Sequence, residues 1–168
     1  MSSRRVSRRM APAFQPKEVE GGLNASGLRF TVLCARWNPT ITEGLLATAL
    51  ETLERCGARG ADIRVVRVPG AFELPAAARS ALSGVPKPDA LIALGAIVKG
   101  ETTHHDVLGH AVAGALAALA GETGHPIGFG LLTCDTMDQA RKRVGKGAEA
   151  AEAAIAMANL NRRQARGG

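Results

Sequence analysis

Residues 90–106 read ALIALGAIVKGETTHHD, an apolar run that ends in a lysine, a glycine, hydroxyl side chains and two histidines. Its apolar part, residues 90–98, has no alternating polar residues and predicts a strand that is buried on both faces, as in a parallel sheet. Such sheets bind their ligands just beyond the carboxyl ends of the strands. The stretch therefore predicts a site for an anionic substrate directly after this strand, with His104 placed to move protons.

Three further apolar runs predict three more strands, at residues 29–35, 63–68 and 127–134. Helical patterns lie between and after the strands, at residues 39–57, 71–82 and 106–120, from about residue 135, and at 148–160. Strands that alternate with helices predict an α/β fold, a flavodoxin-like three-layer α/β/α sandwich around a four-stranded parallel sheet of order 2-1-3-4. This order places the loop after strand 1 beside the loop after strand 3.

Length and charge predict one folded domain with basic ends. The net charge of +6 over 168 residues is concentrated in arginines 4, 5, 8 and 9 and arginines 162, 163 and 166. Because the rest of the chain is near neutral and aromatic residues make up 3%, no nucleic-acid partner is expected. We expect a flexible basic arm at residues 1–27, the domain at 28–162 and a disordered basic tail at 163–168. A targeting segment is the alternative for the arm.

The three cysteines, Cys34, Cys56 and Cys134, are odd in number and lack the spacing of a metal site. They predict a reducing compartment, in agreement with a cytoplasmic location, and no disulfide framework. No apolar run approaches the ~20 residues of a membrane span, so no membrane partner is expected.

Trp37 follows the first predicted strand and Glu73 follows the second, and each of these residues allows two interpretations. Trp37 offers a flat face for a planar heterocycle, or it caps the core. The neighbouring Asn38 is the expected N-cap of the first helix. Glu73, in the first turn of the second helix, either complements the helix dipole or accepts hydrogen bonds from substrate hydroxyls.

The loop after the third strand has the features of a phosphate pocket. Backbone N–H groups and threonine hydroxyls at a helix N-terminus bind phosphate, and the basic run at 141–143 either contributes an arginine or forms a solvated helix face. His104 is the candidate general acid–base. A metal site would have to recruit His104, His105, Asp106 and His110, but the two adjacent histidines point in different directions, so no metal is expected.

Taken together, five segments resemble the lumazine synthase family: ARWNPTITEGLL, VRVPGAFELPAAA, ALGAIVKGETTHHD, IGFGLLTCDTMDQA and IAMANLNR. They follow one another from residue 29 to residue 162. The resemblance implies condensation of 5-amino-6-(D-ribitylamino)uracil with 3,4-dihydroxy-2-butanone 4-phosphate, without metal or organic cofactor. It also implies a homo-oligomer built from pentamers, with active sites between subunits.

The resemblance further implies roles for individual residues. His104 matches the proton-transferring histidine, Trp37 the aromatic that stacks on the pyrimidine, and Glu73 the acceptor of ribityl hydroxyls. Phe129 and Arg143 match residues that a neighbouring subunit supplies, the arginine for the phosphate. The full set of implied substrate-binding positions is Trp37, Asn38, Ala71, Phe72, Glu73, Ile97, Val98, Gly100, Glu101, Thr102, Phe129, Arg143 and Lys146.

Two positions depart from the family pattern. The glycine- and lysine-containing linker at residues 144–147 is short, and Lys146 is the candidate replacement for a ribityl-contacting lysine. His105 stands where an aromatic residue is frequent, which places a second titrating group near His104. A relative that binds the ring without catalysis, and a scaffold with basic tails that recruit a polyanion, are the alternative functions.

Overall fold

A four-stranded parallel sheet of order β2-β1-β3-β4 forms the centre of the computed structural model, which describes residues 14–167. The strands are β1 (Phe30–Ala35), β2 (Ile63–Val68), β3 (Ala90–Val98) and β4 (Ile127–Cys134). The helices are α1 (Pro39–Arg55), α2 (Leu74–Ser83), α3 (His104–Thr123), α4 (Met137–Arg141) and α5 (Lys146–Ala165). The predicted fold class and strand order are confirmed.

The two faces of the sheet are covered by different helices, and this explains the continuous apolar runs. Val32 and Cys34 of β1 pack in one core with side chains of α1 and α5. Leu33 and Ala35, which alternate with them, pack in the second core with side chains of α2 and α3. Since both faces of a central strand are buried, both sets of alternate positions are mainly apolar, with Thr31 the one polar side chain of β1.

The helix boundaries differ from the prediction mainly at the ends of α3 and α5. Helix α3 begins at His104, two residues before the predicted start. His104 and His105 therefore both lie in its first turn. Helix α5 continues through Ala165, and residues 163–165 are therefore helical rather than part of a disordered tail. A short 3₁₀ turn at Ala71–Glu73 precedes α2.

The segment before β1 packs on the body of the protein, which corrects the predicted arm boundary at residue 27. The Asn159 side-chain amide donates to the carbonyl oxygens of Gly22, at 2.7 Å, and Asn24, at 2.9 Å. Ala25 is fully buried. Gly21 lies so close to α5 that an added Cβ would stand 1.8 Å from the Ala156 carbonyl oxygen. Residues 1–13, with the four arginines of the predicted arm, lie outside the described residues.

Within residues 14–167, no helix is both long and apolar enough to cross a membrane.

Candidate active site

The loops after β1, β2 and β3 meet at the carboxyl edge of the sheet and are joined by hydrogen bonds. The backbone N–H of Arg36 donates to Val68 O at 2.8 Å, and that of Trp37 donates to Pro69 O at 3.1 Å. The Asn38 side-chain amide donates to Ala96 O at 2.9 Å and ties the β1 loop to β3. These bonds fix the walls of a cleft of about 380 Å³.

Most of the predicted site residues line this cleft. Gly70, Ala96, His105 and Leu108 line it as well. Sequence reasoning missed Gly70, Ala96 and Leu108, for which nearness to predicted positions was the only signal. The predicted residues that the structure brings together are Trp37, Asn38, Ala71, Phe72, Glu73, Ile97, Val98, Gly100, Thr102 and His104.

Asn38 is the N-cap residue of α1, as predicted, but its side chain makes no capping hydrogen bond. Its backbone is left-handed, with φ 58° and ψ 58°, and its amide points away from the helix toward β3. Asparagine tolerates this conformation better than most residues do. The backbone carbonyl of Asn38 still accepts from the N–H groups of Ile41 and Thr42.

Two aromatic rings at the cleft are largely exposed. Trp37 is 73% exposed and Phe72 is 69% exposed. Trp37 therefore does not cap the core of its own chain, and its place at the cleft is compatible with the ligand-facing interpretation. Large apolar side chains that stand exposed beside a cleft are a feature of binding sites.

Glu73 has a structural role that leaves it facing the cleft. One carboxylate oxygen, Oε2, accepts from the Gly70 N–H at 2.9 Å and closes the turn before α2. A carboxylate has room for further donors at its second oxygen. Both interpretations of Glu73 are thus compatible with its position.

The turn that precedes α3 is polar and exposed. The Lys99 N–H donates to Cys134 O at 2.8 Å, which anchors the turn to the end of β4. The Thr102 hydroxyl lies 3.4 Å from the backbone N of His104. The start of the 20-residue helix α3 is a region of positive potential, because the N-terminus is the positive end of the helix dipole. Glu101 belongs to the turn but does not line the cleft.

Three predicted residues lie away from His104 within one chain. Arg143 and Lys146 line a separate cleft of about 490 Å³ beside the end of β4. Arg143 donates from its guanidinium to Gln139 O at 2.9 Å, and Lys146 pairs with Glu149 at 2.7 Å. Phe129, 42% exposed, lines a third cleft with His105.

Burial keeps the Cys34 thiol neutral. Burial raises the pKa of Cys34, and the positive charge of Arg67 offsets part of this rise. The Arg67 guanidinium is paired with Glu43, whose pKa it lowers chiefly by hydrogen bonding. Cys34 is therefore a core residue rather than a nucleophile. Among the described residues, no group of three His, Cys, Asp or Glu side chains is arranged to hold a metal ion.

Comparison with known proteins gives a consistent result. The family model for 6,7-dimethyl-8-ribityllumazine synthase matches residues 27–162. A protein of Desulfotalea psychrophila (strain LSv54 / DSM 12343), named 6,7-dimethyl-8-ribityllumazine synthase, is 45% identical over 150 residues. The match covers 86% of this chain and 96% of that relative.

Proposed function

The chain belongs to the 6,7-dimethyl-8-ribityllumazine synthase family, and we propose that the cleft around His104 is its active site. The chain is a transferase. It condenses 5-amino-6-(D-ribitylamino)uracil with 3,4-dihydroxy-2-butanone 4-phosphate to give 6,7-dimethyl-8-ribityllumazine and phosphate, the penultimate step of riboflavin biosynthesis. The observation that carries the assignment of the site is the convergence of ten predicted residues on one cleft.

The cleft offers separate surfaces for the parts of the substrates. The exposed ring of Trp37 is suited to stacking on the pyrimidine. The second carboxylate oxygen of Glu73 is suited to accepting ribityl hydroxyls. The turn at residues 100–102 and the start of α3 are suited to the phosphate, because backbone N–H groups and the helix dipole favour an anion there.

The reaction requires proton transfers at several steps. The 5-amino group attacks the carbonyl and loses water to form an imine. A proton leaves the adjacent carbon as phosphate departs, and the ribitylamino nitrogen then closes the ring with loss of a second water. His104 serves these transfers, with a contribution of about 10²–10⁴-fold that is typical of general acid–base catalysis. Orientation of the two substrates in the cleft supplies the rest of the rate acceleration.

We assign Phe129, Arg143 and Lys146 to the site of a neighbouring subunit in a homo-pentamer or a multiple of it. Their separation from His104 within one chain supports this assignment. The guanidinium of Arg143 then binds the phosphate that the turn at 100–102 also holds. Lys146, at the start of α5, takes the place of the family's ribityl-contacting lysine. To reach the ribityl chain, its side chain breaks the ion pair with Glu149. A cytoplasmic location fits the free cysteines at 34, 56 and 134.

The test is product formation by the purified protein, followed through the absorbance of the lumazine and corrected for the uncatalysed reaction. His104→Ala is expected to lower turnover about 10²-fold or more while the fold and oligomer persist. Unchanged turnover in this variant would remove His104 from the mechanism. Absence of acceleration by a folded wild-type protein that still binds the product would instead favour a binding protein.

Arg143→Ala tests the binding of the phosphate separately from the binding of the uracil. We expect KM for the phosphorylated substrate to rise, with a smaller effect on KM for the uracil. Arg141→Ala is the matched control, because Arg141 lies in the same basic run but does not line the cleft of Arg143. An equal effect of the two substitutions would show that only the charge of the run matters.

A further inference from the structure

Gln139 joins the end of β4 to Arg143 through both its side chain and its backbone. Its side-chain oxygen, Oε1, accepts from the Asp135 N–H at 2.9 Å, and its own N–H donates to the Thr136 hydroxyl oxygen at 3.1 Å. Its backbone carbonyl oxygen accepts from the Arg143 guanidinium at 2.9 Å. Three hydrogen bonds thus meet at Gln139, and the third holds the guanidinium that we assign to the phosphate.

The helix that carries Gln139 is too short to be stable by itself. Helix α4 has five residues, whereas an isolated helix needs about 12 or more to persist in water. Ala140 is its one buried residue, and an alanine buries little apolar surface. The orientation of α4 therefore depends strongly on the hydrogen bonds at its start. These are the bonds of Gln139 to Asp135 and Thr136, which resemble a capping box.

The group that the Gln139 side chain binds is itself fixed in the fold. It belongs to the peptide unit between Cys134 and Asp135, whose N–H donates to Gln139. The C=O of the same peptide unit accepts from the Lys99 N–H at 2.8 Å. Cys134 is the last residue of β4 and is buried. One planar peptide group is therefore bound on both sides, to the turn before α3 and to α4.

Resting on the proposed function, we propose that Gln139 is a positioning residue that orients the Arg143 guanidinium for the substrate phosphate. A guanidinium carries five N–H donors, so the bond to the Gln139 carbonyl oxygen leaves the others for the phosphate. Arg143 is exposed, and a long exposed side chain without a partner samples many rotamers. The bond to Gln139 restricts these rotamers in advance, which lowers the entropic cost of binding the phosphate.

Loss of the Gln139 side chain has a defined consequence. Without Oε1, the start of α4 is no longer bound to the Asp135 N–H, and the carbonyl oxygen that holds the Arg143 guanidinium is free to move with the helix. The substrate phosphate then has to order Arg143 by itself, so KM for the phosphorylated substrate rises. KM for the uracil is not expected to follow, because that substrate carries no phosphate.

Gln139→Met tests this consequence. Methionine has a similar length and a similar helix propensity, but its thioether is only a weak acceptor. We expect KM for the phosphorylated substrate to rise about three- to tenfold, as for the loss of one hydrogen bond, and KM for the uracil to change less than about twofold.

Asn161→Leu is the matched control. The Asn161 side-chain amide donates to Gly124 O at 2.9 Å, just before β4 begins. The substitution therefore removes one bond between a side chain and the backbone, of the same length, at the opposite end of β4. It is expected to lower the stability of the protein and to leave both KM values unchanged.

A double-mutant cycle with Arg143→Ala distinguishes positioning from a purely structural role. If Gln139 acts through Arg143, then Gln139→Met has nothing left to disturb in a protein without the guanidinium. In that background it should change KM for the phosphorylated substrate less than about twofold. A general loosening of the fold would instead raise KM by the same factor in both backgrounds.

An unchanged KM for the phosphorylated substrate in folded Gln139→Met would overturn the proposal, and so would an equal factor in the two backgrounds. If Gln139→Met does not fold, Thr136→Val decides in its place, because it removes the acceptor of the Gln139 N–H and should show the same dependence on Arg143. Should the wild type show no synthase activity, the proposed function fails separately, and the affinity for inorganic phosphate across the same variants still tests the positioning role.

Discussion

Asn38 shows how one side chain organises the candidate site. Its left-handed backbone turns the chain sharply between β1 and α1, and its amide reaches Ala96 O at 2.9 Å on β3. Trp37, the preceding residue, is thereby held at the mouth of the cleft. A residue at this position must satisfy a backbone requirement and a side-chain requirement at once.

We expect Asn38→Ala to destabilise the protein by about 1–3 kcal/mol. The substitution places a Cβ without local hydrogen bonding in the left-handed region and leaves Ala96 O unpaired. Asn38→Gly should recover about 1 kcal/mol, because glycine adopts positive φ without strain. Urea unfolding of the three proteins measures both differences. Equal stability of the two variants would mean that the backbone conformation has no cost.

At this scale, sequence and resemblance predicted which residues converge but not how each is held. Asn38 occupies the predicted N-cap position, but its side chain makes no capping bond, because its left-handed backbone and the bond from its amide NH₂ to Ala96 O direct it away from the helix N–H groups. The contact between His105 Nδ1 and Thr102 O, at 3.2 Å, could not be predicted either, since it depends on α3 starting at residue 104. Local patterns do not specify a hydrogen bond whose partner is set by the fold.

At the scale of elements, α1 and α5 approach closely at Gly147. A Cβ added there would lie 2.0 Å from Leu45 O and 2.5 Å from the Thr48 hydroxyl oxygen. The same hydroxyl donates to Val144 O at 2.7 Å, just before α5 begins. Only glycine permits this contact, so the short linker and the start of α5 are fixed together against α1.

Gly147→Ala should therefore cost stability, by about 1–3 kcal/mol, since backbone must move to admit the methyl group. Gly121→Ala on α3 is the matched control. Nothing lies within 4 Å of its added Cβ, and higher helix propensity should stabilise that variant by roughly 0.5–1 kcal/mol. Denaturant midpoints measure both the expected loss of stability in Gly147→Ala and the expected gain in Gly121→Ala. A neutral Gly147→Ala would show that α5 can slide on α1.

The ion pair between Glu43 of α1 and Arg67 of β2 links two elements in a pH-dependent way. Since Arg67 lowers the pKa of Glu43, the pair stabilises the fold above the usual carboxyl pKa of about 4.5. This contribution is lost as the pH falls through the lowered value. Both side chains are partly exposed, so it amounts to less than about 1 kcal/mol.

Glu43→Gln should thus flatten the acid side of the stability curve. We expect the stability of the wild type to exceed that of the variant at neutral pH and the difference to disappear as the pH falls through the lowered pKa of Glu43. Thermal unfolding at a series of pH values measures it. A constant difference across the series would mean that the contact does not depend on charge.

The elements themselves followed from the sequence because the core imposes simple patterns. Strand β3 was predicted with its observed bounds, since both of its faces are buried and no polar residue interrupts it. The C-terminal end of α5 was harder to predict from the sequence. Its last turns carry Arg162, which contacts Gly27 O and Asp89, so tertiary contacts extend a helix beyond the apolar pattern.

At the scale of the whole molecule, a single chain presents two incomplete halves of the proposed site. One half contains His104, and the other contains Arg143, in a different cleft. Cyclic assembly joins unlike surfaces of identical subunits, so every interface can complete one site. In the proposed homo-oligomer, assembly is therefore a condition of activity.

Complementation tests this arrangement directly. His104→Ala and Arg143→Ala subunits, co-expressed in equal amounts, should recover about one quarter of the wild-type sites, because random mixing joins an intact half of each kind at that frequency. The separately assembled variants, mixed after purification, are the control. Activity no higher than the mean of the two variants would place both residues in the site of one subunit.

The attachment of residues 21–25 to α5 also constrains how the protein is made. The contact between Asn159 and Gly22 spans 137 positions of sequence. During translation, residues 21–25 leave the ribosome long before α5 is synthesised. Until then this segment has no helix to pack on. The first residues of the folded body therefore reach their native place among the last, and only after nearly every element has been synthesised.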